Sequence, residues 1–200
     1  MFNIRPYHPS DLTALYRICY RTNPNVRDGL EYRDPDLLGH MYAAPYVVFE
    51  PDLCFVLTHS GAPCGYVLGT RDSAAFARRC EAEWFLPLRE RYPLPDPQDS
   101  SREAAAIRLI HQGHRTLEYP RHPAELHIDL LPIAQGQGQG QKMMIMFLNR
   151  LREIEIPGVH LGVGKANTGA VRFYERLGFK VLQEHELWWA YGLRLGETES

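Results

Sequence analysis

The most informative segment of the sequence is Gln135–Gln141, QGQGQGQ, in which glycine alternates with glutamine, a residue with a neutral amide side chain. It lies between the strand-like run AELHIDLL, residues 124–131, and the amphipathic run KMMIMFLNRL, which begins at Lys142. A linker would join two independent units, whereas this segment has the length of a connection from a strand to a helix. Glycines leave backbone N–H groups unobstructed, and a helix start adds partial positive charge. The stretch therefore predicts a loop that binds an anion, most often phosphate.

Two common phosphate-binding patterns do not fit this loop. The Walker pattern requires Ser or Thr directly after its lysine, and Met143 follows Lys142. The dinucleotide pattern G-x-G-x-x-G requires glycine where Gln141 stands. The pattern that does fit is Q/R-x-x-G-x-G/A, with Gln135, Gly138 and Gly140 at the defined positions.

Hydrophobic periodicity predicts the element order β-α-α-β-β-α-α-β-α-β-α-β, which is an α/β domain without an obvious repeat. Ser10 is the predicted cap of a first helix from Asp11 to about Tyr20. Gly61 is the predicted turn of a hairpin between two apolar runs. We expect one domain over residues 1–200, with a helical insertion at about 73–123. Further helices are predicted at about 101–111, 140–153 and 167–178, and a short one from about Pro35.

Composition narrows the class of protein. The chain has 200 residues, of which 44% are hydrophobic, and a formal net charge of −2, so a nucleic-acid partner is not expected. No apolar run reaches the ~20 residues of a membrane helix, and the start does not resemble a signal peptide. The four cysteines have no C-x-x-C spacing, and the nine histidines form no metal-binding motif. A cytoplasmic protein without membrane partners or a metal is expected.

A second motif gives the loop its context. NTGAVRFYERLGF, Asn167–Phe179, follows one strand later, and together with the loop it resembles the GNAT superfamily of N-acetyltransferases. The resemblance implies a mixed α/β (α+β) fold: a central, mostly antiparallel sheet with splayed fourth and fifth strands, flanked by helices. The runs FNIRPYHPSDLTALYRIC and DLCFVLTHSGAPCGYVLGTRD, and CEAEWFLPLRERY in the insertion, resemble more closely the acetyltransferase-like C-terminal domain of eukaryotic O-GlcNAcase.

The resemblance implies acetyl-CoA as co-substrate. The backbone from Ile128 to Leu130 would pair with the pantetheine arm, and the loop N–H groups would bind the pyrophosphate. The family often has arginine where Gln135 stands and basic residues within the loop, so Lys142 and backbone dipoles remain for neutralisation. The implied cofactor-binding residues are Ile128, Leu130, Gln135, Gly136, Gln137, Gly138, Gln139, Gly140, Gln141, Lys142, Asn167 and Tyr174.

Tyr174 is the clearest catalytic candidate, because a phenol at the sulfur can give the leaving thiolate a proton or a hydrogen bond. A base must deprotonate the attacking ammonium. His127 and Asp129 lie two residues apart on one strand face and are the candidates, although polar residues at alternate strand positions often only face solvent. Gly162 stands where some relatives carry a catalytic glutamate. No cysteine lies in the motifs, so direct attack by the amine is expected.

The acceptor is an unidentified amine, and its selection is expected in the insertion. The alternative is a weakly active or inactive domain that binds acetyl-CoA or a protein partner. Trp188 and Trp189 point to opposite sides of a predicted strand, so one belongs to the core and the other to a pocket or a homodimer contact. The insertion residues considered for selection are Trp84, Phe85, Arg89, Arg91, Tyr92, His111, His114 and Tyr119.

Overall fold

The sheet of the molecule has seven strands. The computed structural model describes residues 1–114 and 118–196. The strands lie in the order β1-β2-β3-β4-β5-β7-β6, and β4 with β5 is the parallel pair among antiparallel neighbours. Their bounds are β1 Phe2–Pro6, β2 Cys54–His59, β3 Ala62–Thr70, β4 Ala124–Leu130, β5 Gly158–Gly164, β6 Lys180–Glu184 and β7 Trp188–Arg194. This is the predicted fold.

Helices cover both faces of the sheet. One face packs mainly against α8 and α9, and the other packs against the helices that precede β4. The described helices are α1 Leu12–Thr22, α2 Pro24–Arg27, α3 Leu37–Tyr42, α4 Ala44–Phe49, α5 Ser73–Cys80, α6 Leu86–Arg91, α7 Arg102–Gln112, α8 Gln139–Glu153 and α9 Thr168–Arg176. A π-helical turn, Glu81–Phe85, joins α5 to α6.

Two local predictions can be compared directly. The β2–β3 hairpin turns where expected, with φ of 50° at Ser60 and 85° at Gly61. The prediction that Ser10 caps α1 is wrong. Asp11 precedes α1, and its carboxylate binds Arg5 at 2.6 and 2.7 Å instead of the helix N–H groups. Ser10 lies in a preceding 3₁₀ turn, where its hydroxyl meets Nδ1 of His8 at 2.8 Å.

The predicted insertion at about 73–123 contains α5, α6 and α7. These helices contribute buried side chains to the same core as α1, α3 and α4, among them Phe76, Phe85 and Ile110. Residues 115–117 of this segment lie outside the described part of the chain. The single-domain description of residues 1–200 stays a prediction.

The parallel pair β4–β5 separates soon after it starts. Only Ala124 with Val159 and Glu125 with His160 are paired, and the rest of β4 continues alongside β3 alone. An unpaired strand edge offers free backbone N–H and C=O groups. One edge of β4 therefore opens toward β5 at the residues that the sequence predicted to bind the pantetheine arm.

Candidate active site between β4 and β5

A cleft of about 870 Å³ lies along the part of β4 that no longer pairs with β5. Its walls are the end of β4, the glycine–glutamine loop, and one side of α9. Most of the predicted cofactor-binding residues line it. Those that do are Ile128, Leu130, Gln135, Gly136, Gly138, Gln139, Gly140, Gln141, Asn167 and Tyr174. Gln137 and Lys142 are not among the residues that line this cleft.

The loop conformation depends on two glycines. Gly136 and Gly138 have φ of 71° and 70°, a left-handed conformation that side chains other than glycine rarely adopt. A Cβ added at either position would meet no atom within 4 Å, so the space above the loop is open. Gly138 also precedes α8, and no side chain caps that helix start. Its first N–H groups are therefore available to an anion, which fits a pyrophosphate.

The glutamines of the loop bind the loop itself. Nε2 of Gln135 donates to the carbonyl of Leu130 at 2.7 Å, and Nε2 of Gln137 donates to the carbonyl of Ile133 at 2.7 Å. Gln139 is buried, and its Nε2 donates to the carbonyl of Gln137 at 3.3 Å. These amides hold the backbone in place without adding charge.

Positive charge at the cleft comes from outside the loop. Lys142 lies instead in a separate shallow groove beside Phe55 and Met146. Side chains two positions apart in a helix point in directions about 200° apart. Lys142 therefore points away from the side of α8 on which Gly140 meets α9. Arg27 at the end of α2 and Arg176 at the end of α9 line the cleft, and neither has an ion-pair partner among the described residues.

Helix α9 places Tyr174 at the inner end of the cleft. Oδ1 of Asn167 accepts from the N–H of Ala170 at 3.1 Å and so caps the helix. The ring of Phe173 lies 3.4 Å from the position that a Cβ at Gly140 would occupy, which fixes α9 against the loop. Tyr174 is buried, and burial, followed by the charge of Asp129, raises the pKa of its phenol. The phenol therefore stays protonated at neutral pH.

Asp129 lines the same cleft from β4. The hydroxyl of Tyr66, its partner on β3, donates to Oδ2 of Asp129 at 2.5 Å. Burial raises the pKa of the Asp129 carboxyl, and hydrogen bonds from Tyr66 and Thr22 act in the opposite direction. A carboxyl with a raised pKa is a stronger base than an ordinary aspartate once it is ionised.

His127 shares a face of β4 with Asp129 but has different neighbours. Its ring lies 5.9 Å from the ring of Tyr42 and 5.3 Å from that of Tyr46, centroid to centroid. Burial lowers the pKa of His127 to about 4, so its imidazole is neutral at physiological pH. The structure brings Asp129 and Tyr174 together and places His127 beyond them, behind the cleft.

Strand β5 offers no acid to the opening. Gly162 is solvent-accessible, and a Cβ added there would lie 3.3 Å from the indole of Trp188. A glutamate at this position would have to displace that indole. Trp189 points to the other face and packs against the core formed with α8 and α9. The two tryptophans thus lie on opposite faces of β7.

The insertion residues serve mostly structural contacts. The Trp84 indole donates to the carbonyl of His40 at 2.9 Å, and Phe85 is fully buried. Arg89 forms an ion pair with Glu81. Nη2 of Arg91 lies 3.8 Å from Oδ2 of Asp34, and the hydroxyl of Tyr92 donates to the same oxygen at 2.7 Å. His111 meets the carbonyl of Tyr92 at 2.8 Å, and Tyr119 donates to Gln183 at 3.0 Å. His114 differs, because its Nε2 is buried and has no hydrogen-bond partner within residues 1–114 and 118–196.

Other chemistries find little support in the described part of the chain. All four cysteines are free and buried, and burial raises the pKa of each thiol. Residues 1–114 and 118–196 hold no group of three metal-ligating side chains. Over the same ranges no helix has the length and apolar character needed to cross a membrane.

The fold, the glycine loop and the tyrosine-bearing helix together define an acyl-CoA-dependent acetyltransferase architecture. The sequence profile of the acetyltransferase (GNAT) family matches residues 12–179, and the chain belongs to that family. The family uses acyl-CoA as a small-molecule partner.

Similar proteins agree with this assignment. The chain is 28% identical to rat O-GlcNAcase over 183 residues, which is 89% of this chain and 20% of that protein. It therefore spans about a fifth of this curated relative. The crystal structure of SsHAT superposes with a TM-score of 0.90 at 39% identity, covering 98% of this chain and 99% of that one. YncA of Salmonella typhimurium, a putative acetyltransferase solved with acetyl-CoA, shares the fold with a TM-score of 0.57 at 15% identity, covering 100% of this chain and 97% of that one.

Proposed function

We propose that this protein is an acetyl-CoA-dependent N-acetyltransferase that transfers the acetyl group to a free amine by direct attack. The observation that carries the proposal is that Tyr174 and Asp129 line the same cleft as the glycine loop and interact electrostatically. A thioester held along this cleft would have a proton donor on one side and a base on the other. No covalent enzyme intermediate is needed.

In the proposed reaction, Asp129 accepts a proton from the acceptor ammonium, and the freed lone pair forms the C–N bond with the acetyl carbon. The C–S bond breaks, and the Tyr174 phenol gives its proton to the leaving thiolate. The amide nitrogen then loses its second proton to the Tyr174 phenolate, which restores the phenol, and Asp129 releases its proton to solvent. Tyr66 holds Asp129 in place through their 2.5 Å hydrogen bond and acts as a positioning residue.

The cofactor-binding roles proposed for the loop rest on the open backbone at Gly136, Gly138 and the start of α8. Leu130 and Ile128 would offer backbone groups to the pantetheine arm, because this edge of β4 has no strand partner. The carbonyl of Leu130 already accepts from Gln135, so the N–H groups of this edge are the freer partners. Arg176 and Arg27 would balance phosphate charge in place of the basic loop residues that the sequence lacks.

The test is an assay of acetyl transfer with purified protein, acetyl-CoA and a panel of primary amines, in which free CoA thiol and acetylated amine are both quantified. Equal amounts of the two products, reduced in Asp129→Asn and Tyr174→Phe, support the proposal. Acetyl-CoA binding without transfer to any amine would favour the alternative, a domain that binds the cofactor and acts through a protein partner.

A further inference from the structure

A row of polar side chains continues from the cleft into the helix-covered face of β4. Glu125, His127 and Asp129 alternate along the strand and share this face with Tyr66 and Thr70, their partners on β3. Of these three side chains, the sequence motifs indicated only His127 and Asp129 as candidates. Glu125 was overlooked, because a glutamate at an alternating strand position normally faces solvent.

The polar groups around Glu125 are unusually poor in partners. Among residues 1–114 and 118–196, the Glu125 carboxylate has no hydrogen bond or ion pair, and the His127 imidazole has no hydrogen bond. Tyr46 is fully buried, and within the same ranges its hydroxyl and the buried Nε2 of His114 have no hydrogen-bond partner. A buried polar group without a partner is costly, so the Tyr46 hydroxyl and Nε2 of the neighbouring His114 indicate a missing binding partner.

These groups face one another. The Tyr46 ring lies 5.3 Å from that of His127 and 5.9 Å from that of His114, and the Tyr46 hydroxyl feels the charge of Glu125. Phe76, stacked on Tyr46 at 4.5 Å, provides an apolar wall. Glu125, His127 and Asp129 are half-buried, and Asp129 also lines the cleft, so the row begins at the cleft wall.

The chemistry of the row favours a donor-rich cation. Burial holds the pKa of both His114 and His127 near 4, so each imidazole is neutral and offers one lone pair. The Tyr46 hydroxyl adds an acceptor oxygen, and the Glu125 carboxylate adds negative charge. A primary ammonium has three N–H donors and one positive charge, which matches this set.

We propose that this row is the acceptor channel, with Asp129 at the reacting amine and Glu125, His127, His114 and Tyr46 binding a second ammonium of the same molecule. The inference rests on the proposed acetyltransferase function and names its acceptor class, an elongated diamine or polyamine. Glu125 and Asp129 are four strand residues apart, about 13 Å at about 3.3 Å per residue. The acceptor therefore carries its two amines near the ends of a chain of similar length.

The test compares octamethylenediamine with n-octylamine, two acceptors of equal chain length that differ in the second amine. The expected kcat/KM of the wild type is at least tenfold higher for the diamine. In Glu125→Gln this ratio falls toward one, mainly through a higher KM for the diamine. Glu90→Gln removes an exposed glutamate that has no partner in the described part of the chain, and leaves both rates unchanged.

A second readout does not depend on turnover. In the CoA-saturated protein, octamethylenediamine shifts the imidazole NMR signals of His114 and His127 saturably, and the shifts are lost in Glu125→Gln. Equal use of the two amines by the wild type, or a preference that survives Glu125→Gln, overturns the channel while leaving acetyl transfer intact. Failure to bind acetyl-CoA would instead overturn the proposed function and the channel together.

Discussion

The hydroxyl of Tyr66 donates to Oδ2 of Asp129 across the β3–β4 pair at 2.5 Å, and Tyr66 itself is fully buried. This contact connects the middle of the sheet to the part of β4 that lines the cleft. It also tunes the base, because a hydrogen bond to the carboxylate opposes the rise in the Asp129 pKa that burial causes.

Removing this contact should change the pH profile of the reaction. Asp129 acts as a base only when ionised, so kcat/KM falls as pH falls through its pKa. In Tyr66→Phe the carboxylate loses a stabilising donor, its pKa rises further, and the acid limb of kcat/KM moves to higher pH. A limb that stays in place while the maximal rate drops would make Tyr66 merely structural. Asp129→Asn should abolish the limb along with most activity.

Tyr174→Phe should lower kcat by about 10- to 1,000-fold, because proton transfer to a leaving group is typically worth 10²–10⁴ and water can replace part of it. The Kd for acetyl-CoA should change little, since the ring stays in place. Tyr119→Phe, which removes a hydroxyl bound to Gln183 far along the chain, is the control and should keep full activity. An unchanged kcat in Tyr174→Phe would contradict its role as proton donor.

Arg176→Ala should weaken CoA binding, whereas Arg172→Ala should not. Both arginines lie on α9 four residues apart, but only Arg176 is among the residues that line the cleft. We expect a five- to tenfold higher Kd for CoA by calorimetry in Arg176→Ala. Repeating the titration with 3′-dephospho-CoA separates the phosphates. If the effect of the mutation disappears, Arg176 binds the 3′-phosphate, and if it persists, Arg176 binds the pyrophosphate. Equal behaviour of the two variants would reject the assignment.

Glu125→Gln should stabilise the protein at high pH. Burial raises the pKa of Glu125 from 4.5 to about 7. Between pH 4.5 and about pH 7 the Glu125 carboxyl is ionised in the unfolded chain but still protonated in the folded protein. The free energy of unfolding of the wild type therefore falls as pH rises through this range, and the fall levels off above about pH 7. The groups facing Glu125 are Tyr46 from α4, Cys80 from α5 and His127 from β4. They are present in both proteins.

The gain in free energy of unfolding from Glu125→Gln should therefore grow from pH 5 to pH 8, by about 1.4 kcal/mol per pKa unit and about 3 kcal/mol in all. Chemical denaturation of both proteins at several pH values measures it. A pH-independent difference would mean that the Glu125 carboxyl titrates normally. Glu90→Gln, at an exposed position, should show no such trend.

Sequence reasoning located the cleft because its two motifs depend on backbone geometry. Positive φ at Gly136 and Gly138 and the cap at Asn167 leave direct traces in the residue type. Helices α2 and α4 were not predicted from the sequence. Pro24 and Pro45 stand at the first turns of these two helices, where the missing N–H costs nothing.

The side chains that complete the site could not be read in the same way. Arg176 and Arg27 are ordinary arginines at helix ends until the fold brings them to one cleft. Glu125 differs from an ordinary strand glutamate only in the burial of its carboxyl, and no local sequence pattern indicates that burial. Lys142 was expected at the phosphates because it directly follows the loop. In the structure it lies on another side of α8, in the groove beside Phe55 and Met146.

Acetyl-CoA binding at the glycine loop is tested by calorimetric titration of the protein with acetyl-CoA, alongside Gly138→Trp. A tryptophan at this position must adopt a positive φ, and its indole fills the open space over the loop, so the variant should lose binding while its circular dichroism spectrum stays that of the wild type. We expect saturable, micromolar binding by the wild type and none by the variant. Binding by both proteins with equal affinity, or by neither, would contradict this expectation.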